Sequence, residues 1–202
     1  MEGIMNRKEE IMKATATLAS QKGLANVSLS QIAKKIGISK AALYNHFSSK
    51  EEIIIHLYEY LRKKASGNLN TTDIDYGQFV KGKDATTILN AVVNDYKALN
   101  SGTDIANFYK IIASEQFYSK EASEIMARET ERMIRATKNL FYAMEVHHIL
   151  KFNNVDYSAI SFALTIHGML DYENILHISQ NDNNTDIAIS DYIDFFCAEY
   201  QI

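Results

Sequence analysis

"SLSQIAKKIGISKAALYNHF", Ser28 to Phe47, is the stretch on which the fold turns. It opens on Ser28, whose hydroxyl can accept from the unpaired amides of a helical first turn. Gln31, three residues on, can reach back to it, which is the capping-box arrangement. A short helix is predicted from there. Leu29, Ile32, Ala33 and Ile36 recur at helical intervals and turn inward, while Lys34 and Lys35 turn outward. Gly37 ends the run, at a place where a left-handed residue meets no side-chain clash. Ile38 plugs the turn. Ser39 then caps another helix, Lys40 to about Asn45. That helix is under two turns long, so it needs Leu43 and Phe47 to pack back on its neighbours. Helix, Gly-containing turn, helix is the helix-turn-helix pattern, whose second helix enters the major groove of DNA.

Working outward, Asn6 to Lys22 places Ile11, Ala14 and Leu18 on one helical face, with Gly23 as its stop. Ser48 and Glu51 offer a further capping box, opening a fourth helix to about Lys64. On the short helix, Lys40, Ala41 and Ala42 face outward where base edges would lie, and Tyr44, His46 and Lys50 flank them at phosphate distance. A helix N-terminus bearing Ser39 and Lys40 also turns amides toward an anion, and Lys50 opens the next helix in the same sense.

Charge supports a polyanion as partner. The chain is −4 overall, yet its first 65 residues carry eleven Lys and Arg against six Asp and Glu, and the other 137 carry ten against nineteen. A basic first third on an acidic body steers a polyanion to one end, although chance clustering would give the same tally. With 47% hydrophobic residues and no proline in 202, the composition suits helices that are never interrupted, so an all-α fold is expected. The single cysteine, Cys197, excludes an intrachain disulfide. No apolar run approaches the roughly 18 residues that span a bilayer, and no leader segment is legible, so a soluble, cytoplasmic chain without a membrane partner is expected.

Beyond residue 65 the sequence is less specific. Residues 65 to 84 are rich in Gly, Asn, Thr and Asp and are expected to be a connection. Helices are predicted over roughly 84–100, 104–118, 120–149, 156–179 and 186–200, with "NDNNTD" parting the last two. Glu124 with Arg128 and Glu131 with Arg135, each four apart, read as a solvated face. Ile160, Leu164 and Ile175 share one side of the penultimate helix, Phe162, Ile166 and Met169 another, and Ile189, Ile193, Phe196 and Tyr200 line the last. Two apolar faces suit packing inward with one and against a second copy with the other, small residues Ser161, Thr165 and Gly168 permitting close approach. A thick central core would show the same pattern.

Catalytic and metal chemistry find little footing. His167 and Asp171 are four apart, but no motif fixes a third ligand. Nor is there a glycine-rich phosphate loop, a nucleophile elbow or a paired-cysteine zinc spacing. No enzyme, metal or cofactor is expected. Most of the aromatic and Met residues at helical intervals are ordinary core. A pocket between helices, apolar with a few polar groups, is expected to draw on Tyr96, Asn107, Phe108, Phe117, Phe141, Met144, His147, Phe162 and His167.

"SLSQIAKKIGISKAALYNHFSSKEEI", preceded by "IMKATATLASQKG" and carrying the string Leu-Tyr-x-His-Phe-x-x-Lys, closely resembles the N-terminal domain of the TetR family of bacterial transcriptional repressors. The resemblance covers residues 5–65, with the helix-turn-helix at 28–47, and leaves 66–202 as a helical ligand-binding and dimerisation domain. It implies an all-α homodimer with an N-terminal three-helix DNA-binding domain, repressing from a palindromic double-stranded operator until a small-molecule effector releases it. A regulator without such an effector is the alternative. The resemblance also carries phosphate roles for Tyr44, His46 and Lys50 and base or near-base roles for Ser30, Lys40 and Ala41. The candidate DNA-contacting set is thus Ser28, Ser30, Ser39, Lys40, Ala41, Ala42, Tyr44, His46 and Lys50. Where the family usually has Gly-Thr before Leu-Tyr, this chain has Ala41-Ala42: a hydroxyl is lost and a methyl that can touch thymine is gained.

Overall fold

The computed structural model describes residues 6–65, 74–99, 104–179 and 188–201. Among the described residues there are ten helices and no strand, as the composition led one to expect. They are α1 (Arg7–Lys22), α2 (Leu29–Lys35), α3 (Lys40–Tyr44), α4 (Lys50–Ala65), α5 (Tyr76–Val80), α6 (Ala85–Leu99), α7 (Asp104–Glu115), α8 (Lys120–Val146), α9 (Val155–Ile178) and α10 (Ile189–Glu199). The chain forms two compact units, Met1–Asn68 with Leu99–Glu129, and Leu69–Ala98 with Thr130–Ile202. The first unit is therefore larger than the expected segment 5–65, because α7 packs on both α1 and α4.

In the first unit the short elements are held by polar caps and a few fully buried side chains. Asn6 accepts from the Lys8 N–H at 3.2 Å to start α1, and Gly23, at φ 78°, stops it. The expected box at α2 forms in both directions: the Gln31 N–H donates to Ser28 Oγ (3.3 Å), and the Ser28 N–H donates to Gln31 Oε1 (2.9 Å). Ser39 Oγ accepts from the Ala42 N–H at 3.0 Å and starts α3. Five helical residues cannot hold themselves. Leu43 and Phe47 anchor them, buried with Ile11, Ile32, Ile53 and Leu57 in one core. The cap of α4 lies one residue later than the Ser48–Glu51 pair suggested. Ser49 Oγ accepts from the Glu52 N–H (3.1 Å), and the Glu52 carboxylate accepts from the Ser48 N–H (2.6 Å) and hydroxyl (2.7 Å). Two serines in a row gave two possible registers, and the helix takes the one that lets Glu52 reach back.

α7 completes this core with Phe108 and Ile112. Arg62 of α4 is ion-paired and hydrogen-bonded to Glu129 of α8. Burial, then the neighbouring Glu129 carboxylate, pushes the Tyr58 phenol far above its ordinary value, so it stays protonated. The face bearing Arg128 is not merely solvated: its guanidinium lies 3.7 Å from Glu59 of α4, and its Nε–H donates to the Glu124 carbonyl.

The second unit is built around aromatic rings. Phe141 stacks on Phe152 at 4.7 Å, and Phe196 tilts against Phe162 at 4.8 Å and Tyr200 at 4.7 Å. Ile189, Ile193 and Phe196 of α10 all face this core. Residues 65 to 84 are not connection throughout, since α5 lies within them, while residues 66–73 fall outside the described set. Asp75 starts α5 by accepting from the Gln78 N–H (2.9 Å), and Val80, fully buried, fixes it to the core. "NDNNTD" also lies outside the described residues. Two residues past the end of α8, His148 at φ 56° is an αL stop filled by a non-glycine residue, with the Ile149 N–H donating back to Met144 O at 2.9 Å.

α9 is two-faced. Ala159, Phe162, Ala163 and Ile166 are buried in the unit, whereas Tyr157, Leu164, Tyr172 and Ile175 are exposed, Ile175 to 60%. With Ser161 and Gly168, also exposed, the outer residues recur at intervals of three and four and form a stripe. Ile160 is half-buried between the faces.

Candidate nucleic-acid interface

The α2–turn–α3 unit presents its N-terminal side chains outward. Lys40, Ala41 and Tyr44 are exposed and Ala42 and His46 half-buried, while Leu43 beside them is fully buried. The alternation follows from helix geometry: with Leu43 turned into the core, its neighbours in sequence must point away from it. Lys40 and Tyr44, one turn apart, are not independent, because the Lys40 ammonium lies 5.8 Å from the centre of the Tyr44 ring. Gly37, at φ 71°, makes the turn, and the Ile38 N–H closes it on Ala33 O at 3.0 Å.

Ser28 and Ser39 serve as helix caps, so their hydroxyls are already engaged with the backbone, whereas Ser30 is exposed on α2 beside Lys34 and Lys35. Lys50 is half-buried and its ammonium donates to the Leu24 carbonyl at 3.3 Å. Two supporting residues escaped the sequence. Lys8 lies over the Phe47 ring, 5.2 Å from its centre, and shields the side chain that anchors α3. Glu52 ties down residue 48 just after α3, and hydrogen bonds from Ser48 hold its carboxyl below the ordinary 4.5. His56 Nε2 lies 3.7 Å from the same carboxylate. Reach-back from Glu52 was legible in principle as S-x-x-E read from Ser49; the Lys8–Phe47 contact spans 39 residues and has no local signal.

The nine candidate ligand residues divide between the two units. Phe108 belongs to the core of the first unit, and Phe141, Met144 and Phe162 to the ring-packed core of the second. Phe117 is 84% exposed, and Asn107 and His147 are also exposed. Tyr96 and His167 do meet, with the phenol oxygen 3.3 Å from Nδ1, and Asp171 Oδ2 lies 3.6 Å from Nε2. Lys97 and Glu173 pair beside them at 3.0 Å, so α6 and α9 share a polar strip. Among the described residues no three His, Cys, Asp or Glu side chains converge as metal ligands, and no helix is long and apolar enough to cross a membrane.

Residues 11–57 match the family model described as bacterial regulatory proteins, tetR family. Over 67 residues the chain is 37% identical to the nucleoid occlusion factor SlmA of Vibrio cholerae serotype O1, which is 33% of this chain and 34% of that protein. It is 38% identical over 66 residues to SlmA of Aliivibrio fischeri, 32% and 34% of the two chains. The chain thus spans about a third of the length of the curated relatives it matches. Whole-chain likeness is structural. The flavonoid-responsive regulator FrrA superposes with TM-score 0.70 at 22% identity, covering 96% of each chain. A SmeT–triclosan complex gives 0.70 at 16%, covering 96% of this chain and 91% of that one. A TetR-family regulator from Mesorhizobium loti gives 0.67 at 16%, covering 96% of each. At these identities the superpositions establish the fold.

Proposed function

We propose that this chain is, through its N-terminal domain, a DNA-binding transcriptional regulator of the TetR family, a repressor that binds a palindromic operator as a homodimer and is released by a small molecule. One observation carries the reading: a capped recognition helix with Leu43 buried and Lys40, Ala41 and Tyr44 turned outward, on the basic end of an acidic chain. In this reading residues 5–65 bind DNA and 66–202 hold the effector and the dimer contact. Lys40, Ala41 and Ala42 meet base edges; Tyr44, His46 and Lys50 meet phosphates; Ser28, Ser30 and Ser39 lie along the same surface.

The exposed stripe of α9 supports dimerisation. Tyr157, Leu164, Tyr172 and Ile175 would be desolvated against their own copies, with Gly168 and Ser161 letting the backbones approach. For the effector, the polar strip of Tyr96 and His167 supports an α6–α9 site, and Phe141, Met144 and Phe162 act as the packed wall behind it rather than as a lining. FrrA is named as flavonoid-responsive and SmeT is seen with triclosan, which favours an aromatic effector here. A second reading draws on the SlmA relatives, named nucleoid occlusion factors: a DNA-binding protein that answers to something other than a small molecule. Operator binding measured with and without an extract of cell metabolites separates the two. Release by the extract is expected; no change in affinity with any extract or aromatic compound would favour the second reading.

A further inference from the structure

The Leu24–Ala25 peptide group is gripped at both ends by charged side chains. Its N–H donates to Glu115 Oε1 of α7 at 2.9 Å, and its carbonyl accepts from Lys50 Nζ of α4 at 3.3 Å. Leu24 is fully buried, so the peptide cannot drift as a surface loop would. A carboxylate, a peptide dipole and an ammonium joined by hydrogen bonds polarise one another, each bond strengthening the next. Glu115 lies 90 residues from its partner and outside the 11–57 stretch that matches the family model. Lys50 is one of the residues assigned above to operator phosphate. Beside it opens a cleft of about 310 Å³, bordered by Leu24, Ala25, Glu51, Glu115 and Tyr118, which leaves its side chain room to turn.

We propose that Glu115 is a positioning residue for DNA binding, acting through the Leu24–Ala25 peptide on Lys50. The carboxylate fixes the peptide; the peptide carbonyl holds the ammonium at the start of α4; and an ammonium held there meets a phosphate without first losing the rotamer freedom of a long, loose side chain. α7 then offers a route by which a signal reaches the recognition unit. A shift of the C-terminal end of α7 withdraws Glu115 and releases Lys50.

The inference rests on the operator role of Lys50, and a double-mutant cycle keeps the two apart. Lys50→Ala, Glu115→Ala and the double variant of the full chain are titrated with the operator duplex over a range of salt, with Glu115→Gln as a variant that keeps an acceptor oxygen. Lys50→Ala alone should weaken binding and lower the salt slope by about one. Glu115→Ala should weaken the wild type about fivefold to tenfold, less than the full worth of a charge-assisted hydrogen bond because it acts through the peptide, and have no such effect once Lys50 is Ala. Glu115→Gln should fall between, and it carries the cycle alone if the Ala variant does not fold. Wild-type affinity and slope in Lys50→Ala would remove the phosphate contact itself. Equal losses from Glu115→Ala in both backgrounds, or none in either, would overturn the relay while leaving the DNA reading intact.

Discussion

The recognition unit and the α6–α9–α10 body use their side chains in opposite ways. Around α2 and α3 nearly every named polar residue has one job at one spacing: Ser28 and Gln31 cap each other, Ser39 caps α3, and Gly37 takes the positive φ that the turn demands. In the body the rings that could have lined a pocket pack on one another, with Phe141 against Phe152, Phe162 and Phe196. Polar side chains are directional and must meet a partner at a fixed offset. Apolar side chains are not, and the same helical spacing serves core, pocket or interface. A residue's role is therefore set locally in the first region and collectively in the second.

The largest effect should come from breaking the collective region. Phe141→Ala opens a void among three rings in a fully buried site and should cost about 3–5 kcal/mol in denaturant unfolding. A loss under about 1 kcal/mol would mean that the site is a pocket with room to spare, not a packed core. Next is Gly168→Arg. A Cβ there meets nothing within 4 Å, so the fold should stand while the dimer falls apart. Operator affinity should then drop by about a hundredfold or more as binding becomes univalent. Light scattering reads the mass, and an unchanged dimer would show that the α9 stripe is not the contact.

Smaller effects sharpen the local region. Gly37→Ala has open space around its Cβ, so backbone strain alone acts, and about 1–2 kcal/mol of stability should be lost. No loss would mean that the turn relaxes out of its positive φ. The smallest effect concerns Glu52. Hydrogen bonds from Ser48 lower its folded value below 4.5, so its contribution is present above that pH and is lost as pH falls through the folded value. Wild type should thus lose more stability than Glu52→Gln does as pH falls below 4.5. Parallel curves would show that the carboxylate does not hold the end of α3.

Most of this architecture is legible in the sequence, for a physical reason that also marks where legibility stops. Start and stop signals located α1 to α4 within a residue or two because caps, Gly stops and helical period agree there. The long helices α6 to α9 followed from period alone. α5 was missed because five residues carry too little period, and Val80 holds it only through packing. The α4 cap was misplaced by one residue because Ser48 and Ser49 both satisfied the local rule. The nine ligand candidates divide between the two units because an apolar residue at helical spacing does not say what it packs against, and Phe117 is exposed in the α7–α8 turn. The Glu115–Ala25 bond has no signature in any local window.

The claim on which the account stands is that α3 reads DNA through Lys40. Duplexes selected from a random pool by the wild-type chain and by Lys40→Ala test it most directly. The wild type should select a palindrome whose half-sites centre about 34–36 Å apart or a further whole turn away. Lys40→Ala should select the same spacing with one base pair per half-site made degenerate. If the wild type selects no palindrome, or Lys40→Ala selects an unaltered one, α3 does not read the operator in this way.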